Sequence, residues 1–178
     1  MRLLTRSGWR ALGLLAILLI LLAAAQKLGL NAPEDIRAVA VDGDSLRVSN
    51  QDYRLHAIDA PELHQNCSRA DGSSYPCGRE AQKALRAMVQ NRTLTCRTLD
   101  EDRYGRLVAE CTVNGVSIND EMVRAGWAVA YRRHGRDHVA AEAEARTAKR
   151  GIWQGRFEMP ENWRNANRSS LRSGAGED

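Results

Sequence analysis

The 178-residue chain is poor in aromatic side chains: one phenylalanine, four tyrosines and four tryptophans, 5% of the whole. A module that binds single strands by stacking bases on aromatic platforms has little to build with here. Lysine is rarer still, with three against 23 arginines, so arginine number alone is compatible with coding bias and proves nothing. The four cysteines include no closely spaced pair, the signature of a zinc ribbon. No internal repeat is visible, which excludes a solenoid or a propeller.

The basic excess is also smaller than it looks. The formal net charge is +4, but Arg2, Arg6 and Arg10 sit in an acid-free leader, and the rest of the chain carries 23 basic against 22 acidic residues. Any case for a polyanionic partner therefore rests on where the arginines sit, not on their total. What is present is ordinary globular material, 43% hydrophobic and 27% charged. The length suits one domain with a leader and a tail.

Residues 1–25 join the three arginines to an apolar run from Ala11 to Ala25 that closes on three alanines. This is the layout of a secretory signal peptide with a small-residue cleavage site. It is equally that of a short uncleaved anchor, because a span takes about 20 residues and flanking side chains can snorkel. In both readings the basic flank keeps the N-terminus in the cytoplasm. The domain is then expected to be extracytoplasmic: periplasmic, secreted, or held at the inner membrane. Residues 26–35 read as a linker. Cys67, Cys77, Cys96 and Cys111 all follow the leader, and an even count in an oxidising compartment reads as two disulfides with three possible connectivities. Cys67–Cys77 and Cys96–Cys111 are favoured. The first pair closes a polar loop, and the second is equidistant from a turn at Arg103-Tyr104, so a hairpin would set its members opposite one another. A zinc site that includes His64 is the competing use.

From Ile36 short alternating runs replace the leader. IRAVAVDGDSLRVSN reads as two strands around Asp42-Gly43-Asp44, and QDYRLHAID as a third. A helix over about 78–91 follows, with Ala81, Ala84, Leu85, Met88 and Val89 on one stripe. TLTCRTL and RLVAECTV are two further strands, SINDEMVRAGW is a short helix, and 137–150 is an alanine-rich helix. Five strands with a helix after the third is the order of the five-stranded Greek-key OB-fold barrel, here α+β, mainly β, with about three helices.

Asp44 would open the second strand and Asp59 end the third, so neighbouring strand ends can bring both carboxylates to one rim. Hard oxygen donors at a strand end suit Ca²⁺, which also accepts carbonyls and waters. Arg54 lies between them, and a planar guanidinium can grip two phosphate oxygens at once. Arg106 begins another strand. Each motif has a plain structural reading: Asp-Gly as a turn, Asp-Ala-Pro-Glu as a helix cap, the arginines as surface charges. Those readings leave unexplained a mid-strand arginine aimed between two acids.

Together these residues resemble the thermonuclease (staphylococcal nuclease-like) family. The likeness runs from about Ile36 to Trp153 and is carried by VDGDSLRV, YRLHAIDAPE, DRYGRLVAE and AEAEARTAKRGIW, in the family's order. It implies an OB-fold nuclease domain over 36–157, followed by a C-terminal extension and polar tail over 158–178. It implies a monomeric Ca²⁺-dependent phosphodiesterase that cuts DNA and RNA at the 5′ P–O bond and leaves 3′-phosphates. Asp44 and Asp59 would be metal ligands with the Ala60 carbonyl, where the family often has threonine. Asp42 would support them, Arg54 and Arg106 would hold phosphate, Glu62 would activate water, and Tyr104 and Tyr131 would contact nucleotide. Arg132, Arg133, His134 and Arg136 track a phosphate backbone or form a solvated loop. The rival readings are a non-catalytic OB-fold module binding nucleic acid, disfavoured by the scarcity of aromatics, and an envelope interaction protein, which has no need of all five site residues.

Overall fold

Alternation of period two sets the sheet. In β4 (Gln51–Leu55) Tyr53 and Leu55 turn inward while their neighbours stay partly exposed, and in β9 (Leu107–Val113) Ala109, Cys111 and Val113 do the same. The computed structural model describes residues 14–18 and 33–167. The chain divides into two units, Met1–Pro33 and Glu34–Asp178. In the first, residues 14–18 are helical, and the rest of the expected leader lies outside the described residues. Among the described residues no helix is long and apolar enough to cross a membrane.

The second unit is built on β1 (Glu34–Ile36), β2 (Val39–Ala40), β3 (Ser45–Val48), β4, β8 (Leu94–Glu101), β9 and β10 (Val116–Ser117). They form one sheet in the order β1-β8-β9-β4-β3-β2, with β10 added to β9. β4 and β9 run parallel, Arg54 beside Val108, and the other pairings are antiparallel. The single strand expected from Ile36 is really two. β1 pairs with β8 at one end of the sheet and β2 with β3 at the other, so the run 34–40 borders both edges and the sheet curls around its core.

This architecture is mixed, mainly sheet, and consistent with an OB-fold, but its counts differ from the expected five strands and three helices. Among the described residues there are eleven strands, four α-helices of the second unit and one 3₁₀ turn, Gly151–Gln154. The surplus has local causes. The expected third strand breaks at Ala57, whose φ is 56°, and resumes as β5 (Ile58–Asp59), which pairs with β11 (Val129–Ala130) rather than with the main sheet. The cysteine loop forms its own ribbon from β6 (Cys67–Ser68) and β7 (Ser74–Tyr75).

Helix α1 (Cys77–Val89) buries Ala81, Leu85 and Val89 against this sheet, as its stripe requires. Helix α2 (Ile118–Arg124) starts at Ser117, whose hydroxyl accepts from the Asp120 N–H at 3.2 Å. Helix α3 (Val139–Thr147) buries Ala141 and Ala145. Helix α4 (Pro160–Ala166) falls where the sequence suggested an extension and tail; proline at its first turn fits the fixed φ of that residue. Leu46, Leu55, Leu85, Leu94 and Met122 fill the main core, and a smaller cluster joins Tyr75, Val129 and Ile152 beneath the cysteine loop.

Both disulfides connect the favoured partners, Cys67 to Cys77 and Cys96 to Cys111, with Cα separations of 5.5 and 4.1 Å. No free cysteine remains for zinc. Cys96 and Cys111 face each other in the β8–β9 register. Closing the intervening loop constrains the unfolded chain, so replacing both by alanine is expected to cost about 3 kcal/mol. The measurement is the denaturant midpoint, and an unchanged midpoint would show that the hairpin needs no staple.

Candidate active site

The loop Asp42-Gly43-Asp44 leads into β3 and lies directly on Ala60 and α1. A Cβ built on Gly43 would stand 2.6 Å from the Ala60 methyl and 2.8 Å from that of Ala81, so only glycine lets the loop come this close. Asp42 Oδ1 accepts from the Asp44 N–H at 3.0 Å and fixes the turn. Asp44 is then aimed at the start of the Ala60 segment: its Oδ2 accepts from the Ala60 N–H at 2.7 Å and its Oδ1 from the Ser45 hydroxyl at 3.2 Å. Of the Ser45 side chain, it is the hydroxyl that the site uses.

Asp44 and Asp59 are 2% and 1% exposed. Arg54 joins them from β4, Nη1 at 2.6 Å from Asp44 Oδ1 and Nη2 at 3.0 Å from Asp59 Oδ1, with its side chain 20% exposed. One guanidinium therefore spans both proposed metal-ligand carboxylates. Burial pushes the Asp44 carboxyl well above the usual carboxylate range, and the nearby Arg54 charge only partly offsets this. Burial also opposes the charge on Arg54, yet Asp44 and Asp59 hold it above its ordinary value.

Glu62 reaches the same rim. Its position is set by Gln65, fully buried, whose Oε1 accepts from the Glu62 N–H at 3.2 Å and whose own N–H donates to the Glu62 carbonyl at 2.7 Å. Gln65 Nε2 donates to the Glu158 carbonyl at 2.7 Å and so ties this turn to the chain entering α4. From α4 comes a residue that sequence reading did not single out. Arg164 places Nη1 at 2.8 Å from both Asp59 Oδ1 and Glu62 Oε1, and Nη2 at 3.1 Å from Asp59 Oδ2. Burial works against its charge, but Asp59 and Glu62 raise its pKa above the ordinary value.

Arg106, Tyr104 and Tyr131 do not join this cluster in the same way. Arg106 is engaged by Asp102, with Nη2 2.6 Å from Oδ2 and Nε donating at 2.8 Å, and makes its ion pair there rather than with Asp44, Asp59 or Glu62. Asp102 also accepts from the Tyr104 and Arg106 backbone N–H groups, which shapes the β8–β9 turn. Tyr104 stands 69% exposed beside that turn. Tyr131 donates its backbone N–H to the Ala57 carbonyl and packs its ring 5.2 Å from His134. In the basic stretch Arg132 pairs with buried Glu142 at 2.6 Å and Arg133 with Glu161 of α4 at 3.0 Å.

Among the described residues no group of three or more acidic, histidine or cysteine side chains is arranged to hold a metal ion. The donors present still fit a hard cation: two buried carboxylates are brought onto one guanidinium, with Glu62 reaching the same rim. Ca²⁺ tolerates such a set because carbonyls and water complete its shell of 6 to 8 oxygens.

The family model described as staphylococcal nuclease homologue matches residues 52–155. That segment contains Arg54, Asp59, Glu62 and Arg106, while Asp44 and Arg164 lie outside it. Among curated relatives, a probable staphylococcal-like nuclease CAN1 of Oryza sativa subsp. japonica is 33% identical over 130 residues, 71% of this chain and 36% of that protein. An uncharacterized endonuclease of Escherichia coli O157:H7 is 32% identical over 127 residues, covering 67% of this chain and 76% of the relative. A probable endonuclease LCL3 of Schizophyllum commune is 28% identical over 144 residues, 71% of this chain and 48% of the relative. The chain thus spans less than half the length of the first and last of these.

Proposed function

The chain belongs to the staphylococcal nuclease homologues, and from that premise we propose that it is a Ca²⁺-dependent nuclease hydrolysing the phosphodiester bonds of DNA and RNA outside the cytoplasm. The observation that carries this reading is Arg54 gripping Asp44 and Asp59 on a rim that Glu62 also reaches. Three acids and two guanidiniums on one spot match what phosphoryl transfer asks for: charge stabilisation, positioning and a proton acceptor.

Asp44, Asp59 and the Ala60 carbonyl would hold the ion. When bound, Ca²⁺ would neutralise a non-bridging phosphate oxygen and order the attacking water. Arg54 presents N–H donors to the equatorial oxygens as their charge grows. Arg106, oriented by Asp102 at the β8–β9 turn, is the second phosphate arginine of this reading. Glu62 accepts the proton of the water as its oxygen bonds to phosphorus, and the leaving oxygen departs with the bonding pair. Two disulfides support an oxidising compartment, and the leader pattern supports export.

The test is a zymogram of the full-length chain on DNA and on RNA, with Ca²⁺ and with excess chelator. Clearing of both polymers only in the presence of Ca²⁺ is expected. Full clearing in chelator removes the metal requirement, and nucleic-acid retention without clearing favours the non-catalytic module.

A further inference from the structure

Every oxygen of the two proposed metal-ligand carboxylates already has a donor. Asp44 is capped by Arg54, Ser45 and the Ala60 N–H, and Asp59 Oδ1 is shared between Arg54 Nη2 and Arg164 Nη1 while its Oδ2 takes Arg164 Nη2. A cation that approaches Asp59 therefore competes with a guanidinium for its oxygens. The two candidates differ in how they are held. Arg54 projects from the middle of β4, between β3 and β9, with one-fifth of its side chain exposed. Arg164 is 31% exposed and sits in the last turn of a seven-residue helix outside the sheet. Arg164 is the one that can leave.

Its place on the rim is nonetheless built in. The chain reaching it is fixed in sequence: Arg156 exchanges backbone hydrogen bonds with Ser68, the Glu158 carbonyl accepts from Gln65, and Glu161 pairs with Arg133. Three successive anchors bring this helix over the acids, and Arg164 then supplies a positive charge where the cation is needed.

Building on the calcium reading above, we propose that Arg164 is the site's internal counter-cation, which covers Asp59 and Glu62 until a divalent ion displaces it, so that α4 sets the metal affinity. In the ion-free protein Arg164 keeps two crowded carboxylates compensated. When the ion takes Asp59, Glu62 is released to face water, and the freed guanidinium remains within reach of a phosphate.

Calorimetric titration of Ca²⁺ into the full-length protein, without nucleic acid, tests this. Arg164→Gln is expected to bind Ca²⁺ at least about fivefold more tightly than the unaltered chain, the lower end of ordinary coupling between ligands. Arg164→Lys, which keeps a charge but loses the fork, should fall between the two. Arg133→Gln loosens one anchor of the helix without touching Asp59 or Glu62, so it should tighten Ca²⁺ binding less than Arg164→Gln does. Melting of the ion-free and ion-loaded forms separates this from a purely structural role, because added Ca²⁺ should stabilise Arg164→Gln more than the unaltered chain. Equal or weaker binding by Arg164→Gln overturns this inference alone, as does equal tightening by Arg133→Gln. Failure of all the chains to bind Ca²⁺ overturns the calcium reading and this inference together.

Discussion

Arg54→Ala is expected to lower turnover by about a thousandfold or more, the scale on which arginines act in phosphoryl transfer. The effect has two physical parts. A guanidinium that donates to equatorial phosphate oxygens is stronger in the transition state than in the ground state, so its loss falls on kcat rather than on KM. The same side chain is also the shared partner of Asp44 and Asp59, both almost fully buried. Removing one member of a buried pair leaves charge uncompensated, at a cost of about 3 kcal/mol. That is the lower end of the usual range, since burial raises the Asp44 pKa and so eases its neutralisation once the guanidinium is gone. A domain stable by about 5 to 15 kcal/mol survives this loss, so the variant should fold and be inert. Ca²⁺ should restore part of the stability but none of the turnover, because it supplies charge to the acids and nothing to the phosphate. Single-turnover rates and melting with and without the ion measure both parts. Turnover close to that of the unaltered protein would remove Arg54 from the reaction.

The residues of this site were legible to different degrees, and the differences follow from how each is placed. Asp44, Asp59 and Arg54 could be read because they occupy strand ends and a strand middle within sixteen residues, where period-two alternation fixes relative direction. Glu62 follows Pro61, which limits the local backbone. The β8–β9 hairpin, its opposed cysteines and α1 were equally open to pattern reading. Arg164 was not, because it meets Asp59 across 105 positions of sequence. No spacing rule connects a seven-residue polar helix to a strand end. The only local sign was Pro160 before a tryptophan and an arginine, enough to suggest a helix start but not a destination. Gln65 was hidden for a similar reason: a glutamine in a loop normally points to water, and only the packed fold shows it holding Glu62 and Glu158 together. The run from Ile36 read as one strand because its apolar alternation is continuous; its division between two sheet edges comes from curvature, which alternation does not encode.

Gly78→Ala is expected to disable the enzyme from a position that touches no substrate. Gly78 lies in the first turn of α1, buried against the Glu62 segment. A Cβ there would stand 1.7 Å from the Glu62 carbonyl oxygen and 2.5 Å from its carbon, inside main-chain atoms rather than a side chain that could swing away. Either Glu62 or the start of α1 must move by an ångström or more. Moving α1 disturbs Ala81, Leu85 and Val89, all buried, and overpacking of this kind costs about 1 to 3 kcal/mol. Moving Glu62 takes the proposed proton acceptor out of line, and a misplacement of about 1 Å can cost about a hundredfold in rate. Glu62→Gln is the comparison that separates the two outcomes. It removes the proposed proton acceptor, worth about 10² to 10⁴ in rate, while its partly exposed side chain and intact backbone leave melting nearly unchanged. Gly78→Ala should therefore lose both turnover and stability, and Glu62→Gln turnover alone. If Gly78→Ala melts with the unaltered protein, α1 does not press on Glu62 as closely as the structure has it. If it melts lower but turns over normally, Glu62 owes its position to Gln65 rather than to the helix.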